Sequence, residues 1–115
     1  VITGRIKDII IRKGENISAK EIEDLLFSHP DVRDVAAFGL SDPSVGERCC
    51  VALVVADDTT VDLHDVTRHL SDLGLARYKL PERMVVVDEL PRNATGKVLK
   101  SELPPLLARD AAPRA

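Results

Sequence analysis

Gly4-Arg5-Ile6-Lys7-Asp8-Ile9-Ile10-Ile11-Arg12-Lys13-Gly14-Glu15-Asn16-Ile17-Ser18-Ala19-Lys20-Glu21-Ile22-Glu23 holds a strand, a tight turn and a capped helix in direct succession. Ile6 to Ile11 is short and β-branched, the composition of a strand. Arg12 to Asn16 reads as a turn in which Gly14 is free to take a positive φ, and Ile17 resumes an extended path. Ser18 then stands as an N-cap with Glu21 three residues on, the pattern of a capping box, and Ile17 and Ile22 are placed as its hydrophobic staple. Ile22, Leu25 and Leu26 give the helix one apolar stripe, and His29-Pro30 ends it.

Further along, Val32 to Phe38 reads as a strand and Gly39 to Glu47 as a loop rich in turn formers, with Asp42 and Glu47 in that role. Cys49 to Ala56 is apolar on both alternating faces, which marks a central strand covered from both sides. Asp62 is placed to cap a second helix running to about Leu73, with Leu63, Val66 and Leu70 inward. A short helical turn is expected over Leu75 to Tyr78, a strand over Met84 to Val87, and a last helix from Val98 to Leu103, stopped or kinked by Pro104-Pro105. The elements add up to an α+β fold: a small, mostly antiparallel sheet with packed helices and an N-terminal β-hairpin. Residues 1–107 form one domain on this reading, and 108–115 a flexible tail with no core pattern.

Composition narrows the function. The chain has 115 residues, 44% of them apolar and 30% charged, the balance of a soluble domain with a single modest core. Its net charge of −3 gives no general attraction to nucleic acid, and the absence of Trp leaves little for stacking on bases. No apolar run is long enough for a membrane span. Cys49 and Cys50 are adjacent, so in a strand their side chains point to opposite faces; they read as structural thiols of a reducing cytosol, and no metal site is expected. His29, His64 and His69 are assigned no catalysis. The chain opens on Val1, which is expected of a piece of something longer.

Leu90-Pro91-Arg92-Asn93-Ala94-Thr95-Gly96-Lys97-Val98-Leu99-Lys100 is a Pro- and Gly-bounded surface loop that presents Lys97 where it enters the last helix. A lysine on such a mobile but defined arm can deliver positive charge to an anion on another surface, and a phosphate is the obvious target. The two motifs are more specific together than apart. The Gly4-to-Ile17 stretch followed by Glu21-Ile22-Glu23 resembles the motif that opens the C-terminal domain of adenylate-forming enzymes, and Pro91 to Lys97 resembles that family's last motif. Acyl- and aryl-CoA synthetases, peptide-synthetase adenylation domains and beetle luciferases belong to this superfamily. The wording Lys13-Gly14-Glu15-Asn16-Ile17 and Thr95-Gly96-Lys97-Val98-Leu99-Lys100 is closest to CoA ligases, apart from Lys13, where many of them carry a second Gly.

The resemblance implies a two-step reaction. A carboxylate attacks the α-phosphate of ATP, which enters with Mg2+, to give an acyl-adenylate and pyrophosphate; the thiol of CoA then displaces AMP. It also implies that the small domain turns between the steps and closes one active site with two of its faces. On that basis Lys97, supported by Gly96, stabilises the charge that builds in adenylation. Lys7 is the hinge, and Arg5 lies near the ribose of the nucleotide. Lys13, Gly14, Glu15 and Asn16 form the loop that enters for the thioester step; Arg12, Lys13, Arg48, Arg77 and Lys79 are candidates to meet CoA phosphates, but most of them read as solvated surface. ATP, Mg2+ and CoA are held mainly by a large N-terminal domain absent from this chain, which is the partner expected here, in the cytoplasm. The isolated domain is then inactive and carries no cofactor. Two alternatives stay open: an adenylation domain that loads a carrier protein, and a non-catalytic binding module.

Overall fold

Five strands and three helices follow one another in the computed structural model, which describes residues 9–110 and the side chains of residues 9–107. Strands β1 (Ile9–Arg12) and β2 (Glu15–Ser18) form the hairpin, and α1 (Ala19–Leu26) follows without a linker. Next come β3 (Val32–Asp42) and β4 (Gly46–Val55), then α2 (Leu63–Asp72), β5 (Arg83–Val86) and α3 (Leu103–Asp110). The sheet order is β2-β1-β4-β3, and β5 also lies on β4. All pairings are antiparallel except β4–β5, which is parallel and needs α2 as its crossover. The α+β class and the N-terminal hairpin expected from the sequence are therefore present.

β4 is the spine. Cys49 to Leu53 are all fully buried, because helices cover both faces of the sheet. Alternation splits its side chains between two cores. Cys49, Val51 and Leu53 join Ile10, Ile17, Ile22, Leu26, Val66 and Leu70 beneath the hairpin, α1 and α2. Cys50 and Ala52 face the other way, onto Phe38, Val85, Leu90, Leu103 and Leu107 beneath α3. Both thiols are free and buried, each on its own face as the strand period requires. Burial pushes the Cys49 thiol up to about 12 and the Cys50 thiol up to about 11, so neither is a thiolate at neutral pH.

Four local expectations change. The Gly39–Glu47 loop is mostly ladder: Gly39 to Asp42 pair with Cys49 back to Gly46, leaving only Pro43 to Val45 as the turn. Asp42 still makes that turn, its Oδ1 accepting from the Ser44 amide at 2.8 Å and the Ser44 hydroxyl at 2.6 Å. Glu47, by contrast, reaches over Gly39 to accept the Ile11 amide at 2.9 Å, which ties the hairpin to the sheet. At α1, Ser18 accepts from the Glu21 amide, but the Glu21 carboxylate leaves the capping box for the Lys79 ammonium at 3.0 Å. The reciprocal box forms instead at α2, between Asp62 and Asp65.

Finally, Pro104-Pro105 begins a helix instead of stopping one. Residues Lys100–Glu102 form a single 3-10 turn, and α3 runs from Leu103 through the proline pair to Asp110, taking in the first three residues of the stretch read as a tail. Prolines in a first helical turn give up only amides that have no intrahelical partner, so the cost that would break a helix interior does not arise.

Candidate functional site

Lys97 is carried by a closed loop, and the helix does not start until Lys100. Arg92 and Val98 pair as an isolated antiparallel bridge, and the Leu99 amide donates to the Pro91 carbonyl at 2.8 Å. Inside this bridge Asn93 organises the turn. Its Oδ1 accepts from the Thr95 amide (2.9 Å), the Thr95 hydroxyl (2.7 Å) and the Lys97 amide (3.0 Å). Its backbone exchanges bonds with Gly96 and Lys97, both at 2.9 Å. Gly96 sits at φ +92°, the left-handed region that disfavours a Cβ.

Two ion pairs then fix the loop to the body. The Arg92 guanidinium donates to the Gly96 carbonyl at 2.7 Å and to Asp34 of β3 at 2.5 Å. Lys100 pairs with Glu23 of α1 at 2.8 Å, and the same Glu23 oxygen accepts the Ala37 amide of the β3 edge at 2.9 Å. Lys97 itself is exposed and makes no ion pair among the described residues. An open groove of about 540 Å³ beside it is lined by Glu23, Val35, Lys97, Val98, Leu99, Lys100 and Ser101.

The second candidate segment is the hairpin tip. Arg12 pairs with Glu15, so the connection is two residues long, and both of them have positive φ: Lys13 at 52° and Gly14 at 81°. These are the dihedral signs of a type I′ turn, the tightest link whose twist matches a hairpin. Lys13, Gly14, Glu15 and Asn16 are all exposed. The Lys13 amide donates to the Val45 carbonyl at 2.7 Å, which seats the tip against the β3–β4 turn.

Beneath the tip lies a chain of alternating charges. Glu82 accepts from Arg12 (2.5 Å) and Arg48 (2.6 Å), and Arg48 also donates to Asp42 at 2.7 Å. Hydrogen bonds from Ser44 and then the Arg48 guanidinium hold the Asp42 carboxyl well below its usual range. Burial pushes Glu82 up, but the Arg12 and Arg48 guanidinia outweigh it and leave the carboxyl below its ordinary value. Hydrogen bonds to Asp42 and Glu82 raise Arg48, as the bond to Glu21 raises Lys79. Arg12, Arg48 and Lys79 are thus engaged in ion pairs within the fold, where the sequence reading expected mostly solvated surface charges. Lys13 and Arg77 make no ion pair among the described residues.

Lys7 and Arg5, expected from the sequence as hinge and nucleotide contact, lie outside the described residues. Among the described residues no three His, Cys, Asp or Glu side chains converge to hold a metal ion, and no helix is long and apolar enough to cross a membrane. His69 and His29 stack edge to face at 4.8 Å, with His69 Nε2 near the Ser28 hydroxyl at 3.0 Å; the contact joins α2 to the end of α1.

The two candidate loops stand at opposite ends of one ladder. Arg92 ties the Lys97 loop to Asp34, opposite Val54, whereas the hairpin tip lies on Val45 beside the Asp42–Gly46 pair. From Asp34 to Asp42 along β3 is eight residues, which at roughly 3.3 Å each is about 26 Å. Arg92, Asn93 and Asp34 were not singled out in the sequence. Asn93 three residues before Gly96 is a readable turn signal, but nothing local connects Arg92 with an aspartate on a strand far upstream.

Known proteins share this fold. Residues 21–97 match the family model of the AMP-binding enzyme C-terminal domain. Over 103 residues the chain is 48% identical to a salicylyl-CoA synthase / salicylate adenylyltransferase of a Streptomyces species, covering 90% of this chain and 19% of that protein. Over 100 residues it is 45% identical to the medium-chain fatty-acid–CoA ligase of Escherichia coli K12, covering 86% of this chain and 18% of the relative. Among solved structures, apo MbtA of Mycobacterium smegmatis superposes with a TM-score of 0.83 at 39% identity, over 91% of this chain and 20% of that one. Apo MatB of Rhodopseudomonas palustris gives 0.82 at 36% identity, over 89% and 20%. The chain spans about a fifth of the length of these relatives. It belongs to the family of AMP-binding enzyme C-terminal domains, the small domain of acyl- and aryl-CoA ligases and related adenylating enzymes.

Proposed function

We propose that this chain is the lid of an AMP-forming acyl- or aryl-CoA synthetase and serves two half-reactions with two ends of one sheet. The observation that carries the reading is the placement of the Lys97 loop and the Lys13-Gly14 tip at opposite ends of the β3–β4 ladder. Two segments anchored about 26 Å apart along one packed strand are not expected to enter one active site together, so each is brought in by turning the domain. Lys7, just before the first described strand, is the hinge on this reading, and Arg5 meets the nucleotide.

In the first orientation a carboxylate oxygen attacks the α-phosphorus of ATP, and the bond to pyrophosphate breaks. The Lys97 ammonium faces the oxygens on which negative charge builds, and its loop holds it there before the reaction begins. In the second, a thiol attacks the acyl carbonyl and the bond to AMP breaks. Gly14, lacking a Cβ, lets the slim thiol arm pass close to the backbone, and Asn16 offers it a donor and an acceptor. The acyl pocket, the ATP phosphates and Mg2+ are assigned to the large domain.

The test uses the parent enzyme and follows the half-reactions separately, with salicylate, 2,3-dihydroxybenzoate and decanoate as trial acids. Lys97→Ala is expected to cut pyrophosphate exchange by about a thousandfold, the scale of losing one charge-stabilising group. It should spare thioester formation from supplied acyl-adenylate. Lys7→Pro, which fixes φ, is expected to arrest one half-reaction and leave the other. Equal losses in both half-reactions for Lys97→Ala would remove Lys97 from adenylation. Supplying a phosphopantetheinyl carrier in place of CoA separates the carrier-loading alternative.

A further inference from the structure

We infer that Arg92 and Asp34 are positioning residues for Lys97: they clamp its loop to the sheet so that the ammonium is aimed before ATP arrives. This rests on the adenylation role proposed for Lys97, and it adds two residues that touch neither substrate nor the reacting atoms. The geometry points to it from three sides. Arg92 bridges two acceptors at once, the Gly96 carbonyl inside the turn and the Asp34 carboxylate on β3. A planar guanidinium fork can join two such acceptors rigidly; a lysine offers only a point charge. Next, the residue clamped is the one immediately before Lys97, and Gly96 at φ +92° is the freest point of the loop. Last, Lys100 is pinned to Glu23, which in turn caps the Ala37 amide of the same strand. Lys97 is therefore suspended between two anchors that both lead to β3, and a loop of this kind otherwise samples many conformations.

Misplacing a reacting group by about 1 Å can cost roughly 100-fold in rate. In the parent enzyme, Arg92→Ala and Asp34→Asn should each lower kcat for pyrophosphate exchange by about 10- to 100-fold, with the KM for ATP within about twofold. Thioester formation from supplied acyl-adenylate should be unchanged, because that step uses the opposite end of the ladder. The double variant should be no worse than the poorer single, since both remove one clamp. Arg92→Lys should recover only part of the loss, because it holds one acceptor and releases the other. A readout that needs no substrate is amide exchange of the 91–99 peptide by mass spectrometry, which should quicken in Arg92→Ala and in Asp34→Asn alike.

Unaltered exchange of that peptide, or equal losses in both half-reactions, would overturn the clamp. Lys97→Ala run alongside keeps the two ideas apart. If Lys97→Ala stops adenylation while the clamp variants do not, the clamp fails and the role of Lys97 stands. If Lys97→Ala leaves adenylation intact, the underlying reading fails. Asp34→Asn removes only a charge from a strand, so a folding defect in the loop variant does not decide the outcome.

Discussion

Lys13 shows how much of a functional loop is set by backbone geometry. It occupies the first central position of a type I′ turn at φ 52°, where a Cβ crowds the following carbonyl. A lysine there thus has a conformational cost besides any effect on a substrate. Lys13→Gly is expected to stabilise the fold by about 0.5–1 kcal/mol, the left-handed penalty removed less the entropy a glycine adds to the unfolded chain. Urea unfolding of the chain measures it, and a lower midpoint in the variant would show that the lysine side chain makes contacts that outweigh its strain. Lys97 is different in kind: its own conformation is ordinary, and its placement is done by Arg92, Asn93 and Gly96 around it.

Among elements, the hairpin and α1 were legible because their signals are local: Ser18 caps, Ile17 and Ile22 meet, and the Lys13-Gly14 pair turns. The stretch from Gly39 to Glu47 was not. Gly, Ser, Asp and Pro there read as a loop by local preference, yet pairing with β4 makes most of it strand, a tertiary choice that overrides propensity. The glycine has a reason that only the fold reveals. A Cβ on Gly39 would lie 2.8 Å from the Glu47 carboxyl, the group that accepts the Ile11 amide. Gly39→Ala should therefore push that carboxylate aside and hand the exposed Ile11 amide to water, at a cost of about 0.5–1 kcal/mol, the net worth of one such hydrogen bond. Denaturant unfolding and amide exchange at Ile11 test this; an Ile11 amide as protected as before would sink it. The proline pair of α3 was misread for a related reason, since whether prolines stop or start a helix depends on where the helix begins. The same limit applied at the site: a motif can be read in one place, but its clamp partner Asp34 is fixed only by folding.

At the scale of the molecule, the Arg12–Glu82–Arg48–Asp42 chain ties three separate segments, the hairpin, β4 with its turn, and the start of β5. Both carboxyls are held below their ordinary values of 3.8 and 4.5. Depressed values mean stability that is fully present above the unfolded values and is lost as the pH falls through the folded ones. Stability of the chain to urea should accordingly be level from pH 7 to about 5 and decline steadily below about 4. An Asp42→Asn/Glu82→Gln variant should start lower and decline less over that acidic range; a slope equal to the parent's would show that other carboxylates govern acid unfolding. The separation of the two loops along β3 also bears on how such a domain changes over generations. Each end is built from its own contacts, so substitutions at the Lys13-Gly14 tip leave the Lys97 clamp untouched. Under the proposed division of labour, a lineage can then exchange one acceptor for another while its activation chemistry is inherited intact.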